Sequence, residues 1–190
     1  MTKLVIGLGN PGREYEETRH NIAWLLFERL SFRDKLIWKE KFKGLFCVMT
    51  LFDEQTVFLK PQTYMNLSGE SVRPAMDFFK VGLEDILVVH DEIDLPFGTV
   101  HLKSGGGLAG NNGLKSINQH LGTKEFKRLR MGVGRPQFGD VSSHVLGQFG
   151  PEEKPLLDDF NDLGARALES YLKIGFQKAQ NKFSKKTVIS

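Results

Sequence analysis

The sequence contains a single cysteine, Cys47, so no disulfide bond can form within the chain. So little cysteine is typical of proteins from a reducing compartment, and we therefore expect a cytoplasmic location. Cys47 lies in a strand-like run, where a small apolar side chain belongs to the core. We interpret its thiol as a packing group and not as a nucleophile.

Long apolar runs are also missing. None approaches the roughly 20 residues that a membrane-spanning helix needs. The first apolar run, Leu4 to Ile6, is too short for a signal peptide and leads directly into glycine and proline. We expect no membrane partner.

Neither sign of charge dominates, since 26 lysines and arginines stand against 23 acidic residues and give a net charge of +3. Such a small excess does not by itself predict nucleic-acid binding. The basic residues are clustered at 39–43, 124–130 and 178–186, and each cluster can equally be a solvated surface. Charge alone therefore leaves the partner open.

The sequence has no internal repeat, low-complexity segment or linker, so its 190 residues predict a single domain, 1–190. Apolar runs predict strands at Leu4–Ile6, Leu45–Phe52, Thr56–Lys60, Ile86–Val89, Thr99–Lys103 and within Phe126–Gly134. Helical spacing predicts helices at Ile22–Leu30, from an N-cap at Ser68 to Gly82, around Leu114–Leu121, and after Pro151. Because strands alternate with helices and the second and third strands form a hairpin, we predict an α/β fold with a twisted mixed sheet.

The first strand ends in a glycine turn that contains Gly7, Gly9 and Gly12. This spacing satisfies the dinucleotide-binding pattern G-x-G-x-x-G. A true fingerprint needs the helix to begin at the glycines, whereas Pro11 and a charged loop delay it here. We expect instead that Asn10, at the strand end, and His20, just before the helix, meet at a reaction centre.

The most apolar strand leads into a second polar group, at Asp91, Glu92 and Asp94. It resembles the acidic end of a nucleotide-hydrolase strand, but Leu114 stands where a P-loop requires glycine. A metal site at these acids is a further alternative, and a solvated acidic turn is the simpler one. Serine hydrolysis is disfavoured because the chain has no G-x-S-x-G elbow.

One histidine, one strand-end aspartate and several loop amides remain, and together they suit the activation of a water molecule. In this hypothesis His20 removes the proton, and Asp91 holds the imidazole in the required tautomer. Amides then bind the carbonyl under attack. These candidates are Asn10, Asn66, Asn111 and Asn112.

Five sequence blocks, in this order and spacing, resemble the bacterial peptidyl-tRNA hydrolase family, and the resemblance covers nearly the whole chain. The blocks are GLGNPG (7–12), TRHN (18–21), KPQTYMNLSG (60–69), HDEIDLP (90–96) and GGGLAGNNGLKS (105–116). The resemblance implies hydrolysis of the ester between a nascent peptide and the 3′ end of tRNA, which recycles tRNA, without a metal or cofactor. It also implies a monomer that binds the CCA end and acceptor stem. The alternative is a non-catalytic RNA-binding module on the same fold, because relatives of the family serve as splicing factors.

Matched block by block, the resemblance implies a role for each candidate residue. His20 is the general base, Asp91 its orienting partner, and Asn10 the residue that tells a blocked aminoacyl group from a free one. The substrate-binding positions are Tyr15, Tyr64, Asn66 and Asn112. An aromatic ring can stack on the terminal adenine, and amides can pair with peptide groups.

The chain departs from the family pattern at two positions. Asn111 stands where the family has histidine, so any role that needs a titrating group is in doubt there. The family clamps the tRNA 5′ phosphate with a lysine and an arginine, and Arg130 matches the arginine. The lysine position falls on His101, so we expect Lys103, two residues along the same strand face, to supply the permanent charge.

Overall fold

A computed structural model describes residues 1–189, in which one sheet of eight strands has the order β2-β3-β4-β1-β5-β7-β6-β8. The strands are β1 (Thr2–Gly7), β2 (Lys39–Lys41), β3 (Gly44–Leu51), β4 (Glu54–Pro61), β5 (Ile86–Glu92), β6 (Thr99–Ser104), β7 (Lys127–Gly132) and β8 (Lys186–Thr187). The helices are α1 (Ile22–Phe27), α2 (Gly69–Phe79), α3 (Asn112–Leu121), α4 (Val141–Val145), α5 (Leu157–Ile174) and α6 (Phe176–Lys182).

The middle of the sheet is parallel and its edges are antiparallel. β1 runs parallel to β4 and β5, and β5 runs parallel to β7. The β2–β3, β3–β4, β6–β7 and β6–β8 pairs are antiparallel. The predicted mixed α/β sheet is confirmed, and the parallel core brings the carboxyl ends of β1 and β5 to one edge, where such sheets place their ligands.

Helices cover both faces of the sheet, so β5 is buried along its whole length. Its alternate side chains belong to two separate cores. Leu87 and Val89 join the core that contains α1 and α5, and Ile86 and Val88 join the core that contains α2 and α3. Burial on both faces explains why this strand reads as an unbroken apolar run.

The glycines after β1 allow helix α1 to approach closely. A Cβ on Gly7 would lie 2.6 Å from the Phe27 ring, and one on Gly9 would lie 2.6 Å from the Trp24 indole. Trp24 also donates a hydrogen bond from Nε1 to the Gly7 carbonyl at 2.7 Å. The glycines therefore serve the close packing of α1 against the end of β1.

Four predicted helix boundaries are wrong. Helix α1 ends at Phe27 and not at Leu30. Ser68 precedes α2 but does not cap it, because its hydroxyl donates to the Met65 carbonyl at 2.7 Å. The same helix ends at Phe79, with Lys80 in the left-handed conformation, instead of at Gly82. Pro151 is not at a helix N-terminus, since α5 begins at Leu157 after a 3₁₀ turn. In each case local backbone geometry, which propensity does not specify, decides the boundary.

Cys47 is buried, and burial raises the pKa of its thiol to about 11. A thiol with so high a pKa is unreactive at neutral pH, in agreement with its interpretation as a core residue. None of the helices within residues 1–189 is both long and apolar enough to span a membrane.

Candidate active site

A cavity of about 650 Å³ opens at the carboxyl ends of β1 and β5. Its lining includes eight of the predicted site residues: Asn10, Tyr15, His20, Tyr64, Asn66, Asp91, Asn111 and Asn112. Residues from distant parts of the sequence thus meet at one edge of the sheet, as the strand ends indicated. The remaining predicted residues, His101, Lys103 and Arg130, lie outside this lining.

His20 and Asp91 form a buried hydrogen-bonded pair in the cavity wall. His20 Nδ1 lies 2.7 Å from Asp91 Oδ2, and the two side chains are 10% and 1% exposed. With Nδ1 donating to the carboxylate, the neutral imidazole keeps its lone pair on Nε2. Nε2 has no hydrogen-bond partner within residues 1–189, so it is free to accept a proton.

The pKa of His20 reflects two opposing influences. Burial is the largest and lowers the pKa, while the charge of Asp91 and the hydrogen bond to it raise the pKa. The two contributions from Asp91 together prevail, and the pKa lies above its ordinary value. The Asp91 carboxylate therefore gives the His20 imidazole a higher proton affinity than a free histidine has.

Asn10 is fixed in the cavity wall by two other residues. Asn21 accepts a hydrogen bond from the Asn10 backbone N–H and donates one to its carbonyl, both at 2.9 Å. The Asn10 side-chain oxygen accepts from the Met65 N–H at 2.6 Å. The amide nitrogen of Asn10 has no partner among the described residues, so it is the side chain's free donor for a ligand.

The two predicted aromatic residues lie at the entrance to the cavity. The rings of Tyr15 and Tyr64 meet edge to face, with centroids 6.3 Å apart, and Tyr64 is 52% exposed. Tyr64 has φ 62° and ψ 158°, a strained conformation for a residue with a side chain. The Asn10–Met65 hydrogen bond stabilises the turn that follows and so keeps this exposed ring in place.

Asn111 caps helix α3, and its side-chain oxygen accepts hydrogen bonds from the N–H groups of Gly113 and Leu114 at 2.9 and 3.1 Å. Its amide nitrogen donates to Asp91 Oδ1 at 3.2 Å. Asn112, at the first position of the helix, is exposed and lines the cavity. The two adjacent amides therefore differ, since Asn111 contacts the protein and Asn112 is free for a ligand.

A smaller cavity of about 110 Å³ lies beside the first and shares Glu92 and Ala109 with it. Lys103, Arg128 and Arg130 line this second cavity. The Arg130 guanidinium pairs with Glu92 through Nε and Oε1 at 2.9 Å, and both side chains are largely buried. The predicted clamp residues Lys103 and Arg130 are thus close together, next to the main cavity.

The other basic residues of this region differ in whether their side chains already have hydrogen-bond or ion-pair partners. The Arg128 guanidinium donates to the carbonyls of Gly106, Gly107 and Lys124, which occupies it in holding the glycine loop. Lys103 forms no ion pair within the described chain. His101 faces Arg130 across the β6–β7 ladder but lines neither cavity. Burial lowers the pKa of His101, and so do the charges of Arg130, Lys185 and Lys103.

The alternatives raised by other motifs do not fit the contacts. Each of the three strand-end acids has its own partner, Asp91 with His20, Glu92 with Arg130 and Asp94 with Arg135. Within residues 1–189 no three histidine, cysteine or acidic side chains are placed to hold a metal ion. His144, next to the serine pair at 142–143, directs Nε2 at the carbonyls of Val133 and Gly134. An Nε2 that donates to carbonyls cannot act as the base for a serine.

Sequence reasoning missed several residues of the main cavity. They are Met65, Ile93, Ala109, Gly110, Arg135 and, from the region of α4, Val141, Ser142, Val145 and Leu146. The region of α4 adds an apolar wall, for which the sequence offers only a short valine–leucine pattern. Asn21 belongs to the TRHN block (18–21), but its hydrogen bonds to Asn10 form only when the turn folds, so the sequence does not predict them.

Comparisons with known proteins agree with this site. The sequence model of the family described as Peptidyl-tRNA hydrolase matches residues 4–190. The chain belongs to the peptidyl-tRNA hydrolase family. The family match confirms the predicted activity, hydrolysis of peptidyl-tRNA, and gives no support to the alternative of a non-catalytic RNA-binding module.

Individual relatives show the same similarity over almost their full lengths. The peptidyl-tRNA hydrolase of Listeria welshimeri is 43% identical over 183 residues, which cover 96% of this chain and 100% of the relative. That of Geobacillus kaustophilus is 45% identical over 184 residues, covering 96% and 99%. The crystal structure of peptidyl-tRNA hydrolase from Acinetobacter baumannii superposes with a TM-score of 0.89 at 36% identity, covering 98% of this chain and 96% of that one. The fold and the family thus rest on independent comparisons.

Proposed function

We propose that His20 is the general base for hydrolysis of the ester that joins the peptide to the 3′ end of tRNA. The single observation that carries the proposal is the 2.7 Å contact between His20 and Asp91, buried in the cavity wall with Nε2 left free. A water molecule attacks the ester carbonyl carbon and gives its proton to Nε2. The bond from that carbon to the ribose oxygen then breaks, and the proton passes from Nε2 to the leaving oxygen. The products are a free peptide carboxyl group and tRNA.

Asp91 has an orienting role in this mechanism. Its carboxylate holds the Nδ1 proton, so that Nε2 is unprotonated and faces the cavity, and it stabilises the imidazolium that forms when Nε2 takes the proton. A buried carboxylate exerts a stronger field than an exposed one because little water screens it. The raised pKa of His20 is consistent with this role.

Asn66 and Asn112 are the candidates for binding the substrate backbone. Both line the cavity and both are exposed, so their amides are free to pair with peptide groups or with the carbonyl under attack. A preorganised donor at the developing oxyanion is worth about 3 kcal/mol in other hydrolases. We assign them jointly to the acyl side of the substrate.

Asn10 is the candidate for selecting blocked substrates. The Met65 N–H already binds its oxygen, so we assign substrate contact to the unpaired donor Nδ2, which requires an acceptor such as a carbonyl. An N-blocked aminoacyl group has a carbonyl on its nitrogen, whereas a free aminoacyl group has an ammonium in the same place. The ammonium would leave the Asn10 donor unpaired, which disfavours the free form.

The nucleic-acid end of the substrate fits the aromatic entrance and the second cavity. The exposed Tyr64 ring, braced by Tyr15, offers a stacking surface for the terminal adenine. Lys103 and Arg130 provide the positive charge for a phosphate at the end of the acceptor stem. Since the two cavities share Glu92 and Ala109, one substrate can reach both.

A single assay tests the proposed chemistry. Release of N-acetylated amino acid from N-acetyl-aminoacyl-tRNA is measured in the presence of EDTA, for the wild type and for His20→Ala. Rapid release by the wild type that survives EDTA and is lost in the variant supports a base-assisted mechanism. Loss of wild-type activity in EDTA would contradict it, because the reaction would then require a metal ion.

We propose that the protein acts as a monomer, because His20, Asp91 and the amides assigned to the reaction meet on the same chain. Sedimentation velocity at assay concentrations tests this part of the proposal, and activity confined to a dimer peak would refute it. The substrate arises during translation, which places the proposed reaction in the cytoplasm. Fractionation of cells that express a tagged chain tests that location.

A further inference from the structure

Asn111 connects the buried pair to the first turn of helix α3. Its side-chain oxygen accepts from the N–H groups of Gly113 and Leu114, and its amide nitrogen donates to Asp91 Oδ1. Backbone N–H groups can only donate, so the oxygen must face the helix and the nitrogen must face Asp91. The chemistry of the contacts thus fixes the orientation of this amide.

The Asp91 carboxylate divides its two oxygens between two partners. Oδ2 meets His20 and Oδ1 meets Asn111, and no other side chain within residues 1–189 donates to Oδ1. The carboxylate torsion of an aspartate is broad when nothing holds it. A second bond, on the oxygen remote from the histidine, therefore determines the plane in which Oδ2 meets the imidazole.

Asn111 is itself firmly held. It is 9% exposed, and its backbone N–H donates to the Leu108 carbonyl at 2.8 Å. The helix turn that it caps packs tightly, since a Cβ on Gly113 would lie 2.6 Å from Met65 Sδ and 2.7 Å from a Leu8 methyl. The position of the amide is thus tied to β1 and to the turn that carries Tyr64.

We propose that Asn111 is a positioning residue for the hydrolysis, one that acts by orienting the carboxylate of Asp91 toward His20. The inference rests on the roles proposed for His20 and Asp91. An amide does not titrate, so this bond stays unchanged over the pH range in which His20 gains its proton. The amide is therefore a permanent donor to Asp91.

Two substitutions separate orientation from helix capping. Asn111→Ser keeps an oxygen that can cap the helix but is too short to bring a donor to Asp91, and Asn111→Ala loses both functions. We expect kcat to fall about tenfold or more in both variants, because misplacement of a catalytic group by about 1 Å can cost up to ~10²-fold. KM should change by less than about twofold, since the amide does not touch substrate. The serine variant should melt at a higher temperature than the alanine variant.

A double-mutant cycle with Asp91→Ala gives the decisive readout. If Asn111 acts through Asp91, Asn111→Ser has no further effect on kcat in the Asp91→Ala enzyme. A wild-type kcat in Asn111→Ser, or the same fold loss in both backgrounds, overturns the inference. A rise in KM as large as the fall in kcat, together with a large drop in melting temperature, also overturns the inference, since that pattern indicates a structural role. If Asp91→Ala and His20→Ala themselves retain full activity, the proposed mechanism fails instead, and the two failures are distinguishable.

Discussion

Asn21 holds Asn10 by both of its backbone polar groups, with the N–H and the carbonyl each 2.9 Å from the Asn21 amide. This pairing resembles a short piece of β-ladder made by a side chain, and it fixes the backbone from which the Asn10 side chain projects. Met65 then takes the Asn10 oxygen. Nδ2 is then the unpaired donor of this side chain, and its proposed role is testable with a matched pair of variants.

Asn10→Asp retains the oxygen that accepts from Met65 and loses the Nδ2 donor. We expect it to hydrolyse N-acetyl-aminoacyl-tRNA at least about tenfold more slowly, in line with the free energy of one hydrogen bond in a buried site. It should also discriminate less against free aminoacyl-tRNA, whose ammonium the new carboxylate can attract. The ratio of kcat/KM for the two substrates is the measurement.

Asn10→Ala loses the acceptor as well as the donor, and so it also frees the strained turn at Tyr64. We expect the same loss of selectivity and, in addition, a lower melting temperature than that of Asn10→Asp. If selectivity were unchanged in both variants, the role of Asn10 would be limited to stabilising the turn at Tyr64.

His20→Ala should lower kcat by roughly 10² to 10⁴-fold, the usual contribution of a positioned general base, with little change in KM. A matched control is His120→Ala, a change of an exposed histidine on α3 that lies outside both cavities. Its kcat should equal that of the wild type. A His20→Ala enzyme of wild-type rate would rule out the mechanism.

The pH profile of kcat/KM should have an acid limb set by His20. A base must be unprotonated to act, so activity falls as the pH drops through its pKa. Because the pKa of His20 is raised, the limb of the wild type should lie above the ordinary histidine value of about 6.5.

Asp91→Asn removes the charge that raises the pKa of His20 and leaves burial, which lowers it. We therefore expect the acid limb to move to lower pH while the plateau rate falls, though less than in His20→Ala. A limb that stays in place would show that another group controls it.

Lys103→Ala should raise KM for tRNA that carries a 5′ phosphate and should leave kcat unchanged. The Lys103 side chain forms no ion pair or hydrogen bond in the described chain, whereas Arg130 is paired with Glu92 and Arg128 donates to loop carbonyls. The slope of log KM against log salt should become shallower by about one counterion. The matched comparisons are tRNA without the 5′ phosphate and Lys173→Ala, an exposed lysine outside the cavities. Equal salt slopes for the wild type and Lys103→Ala would make Lys103 an ordinary surface lysine.

His101 should contribute to the same contact only in acid. Its pKa is lowered by burial and by three cations, so at neutral pH it is uncharged. His101→Ala should therefore have the KM of the wild type at pH 7.5, and any difference should emerge below the ordinary histidine pKa of about 6.5. An effect of equal size at both pH values would contradict this assignment.

Gly9→Ala should lower both the free energy of unfolding and kcat/KM. The new methyl group would lie 2.6 Å from the Trp24 indole, and overpacking of this kind costs about 1 to 3 kcal/mol. Asn10 is the next residue, so a shift of Gly9 also displaces the proposed selector. Chemical denaturation measures the loss of stability, and kcat/KM measures the loss of activity.

The sequence predicted the parts of the molecule that depend on short-range pattern. The buried strands stand out because both of their faces are covered, which produces the unbroken apolar runs at Leu4–Ile6 and Ile86–Val89. The polar residues at the ends of those strands follow as candidates for the site. Strands β2 and β8 were missed because they are short and polar at the sheet edges, where no core imposes a pattern.

The contacts that tune the site depend on tertiary structure. Asn21 looks like an ordinary loop amide until the turn folds it against Asn10, and Asn111 is 20 positions from Asp91. Glu92 and Arg130 are 38 positions apart and pair only because β5 and β7 are neighbours. Residue type and spacing indicate that such groups are polar, and only the fold determines which of them remain free for a ligand.

The strand order has a consequence for how the chain folds while it is synthesised on the ribosome. β1 is the first strand to be synthesised, yet both of its neighbours, β4 and β5, come from residues 54–61 and 86–92. The N-terminal strand therefore waits for its first partner until residue 61 and for its second until residue 92, and β7, which completes the parallel core, emerges later still. Non-local pairing of this kind slows folding and leaves apolar strand surface exposed in the meantime. Nascent chains stalled before residue 132 should thus be protease-sensitive, and resistance should appear only after β7 has cleared the exit tunnel.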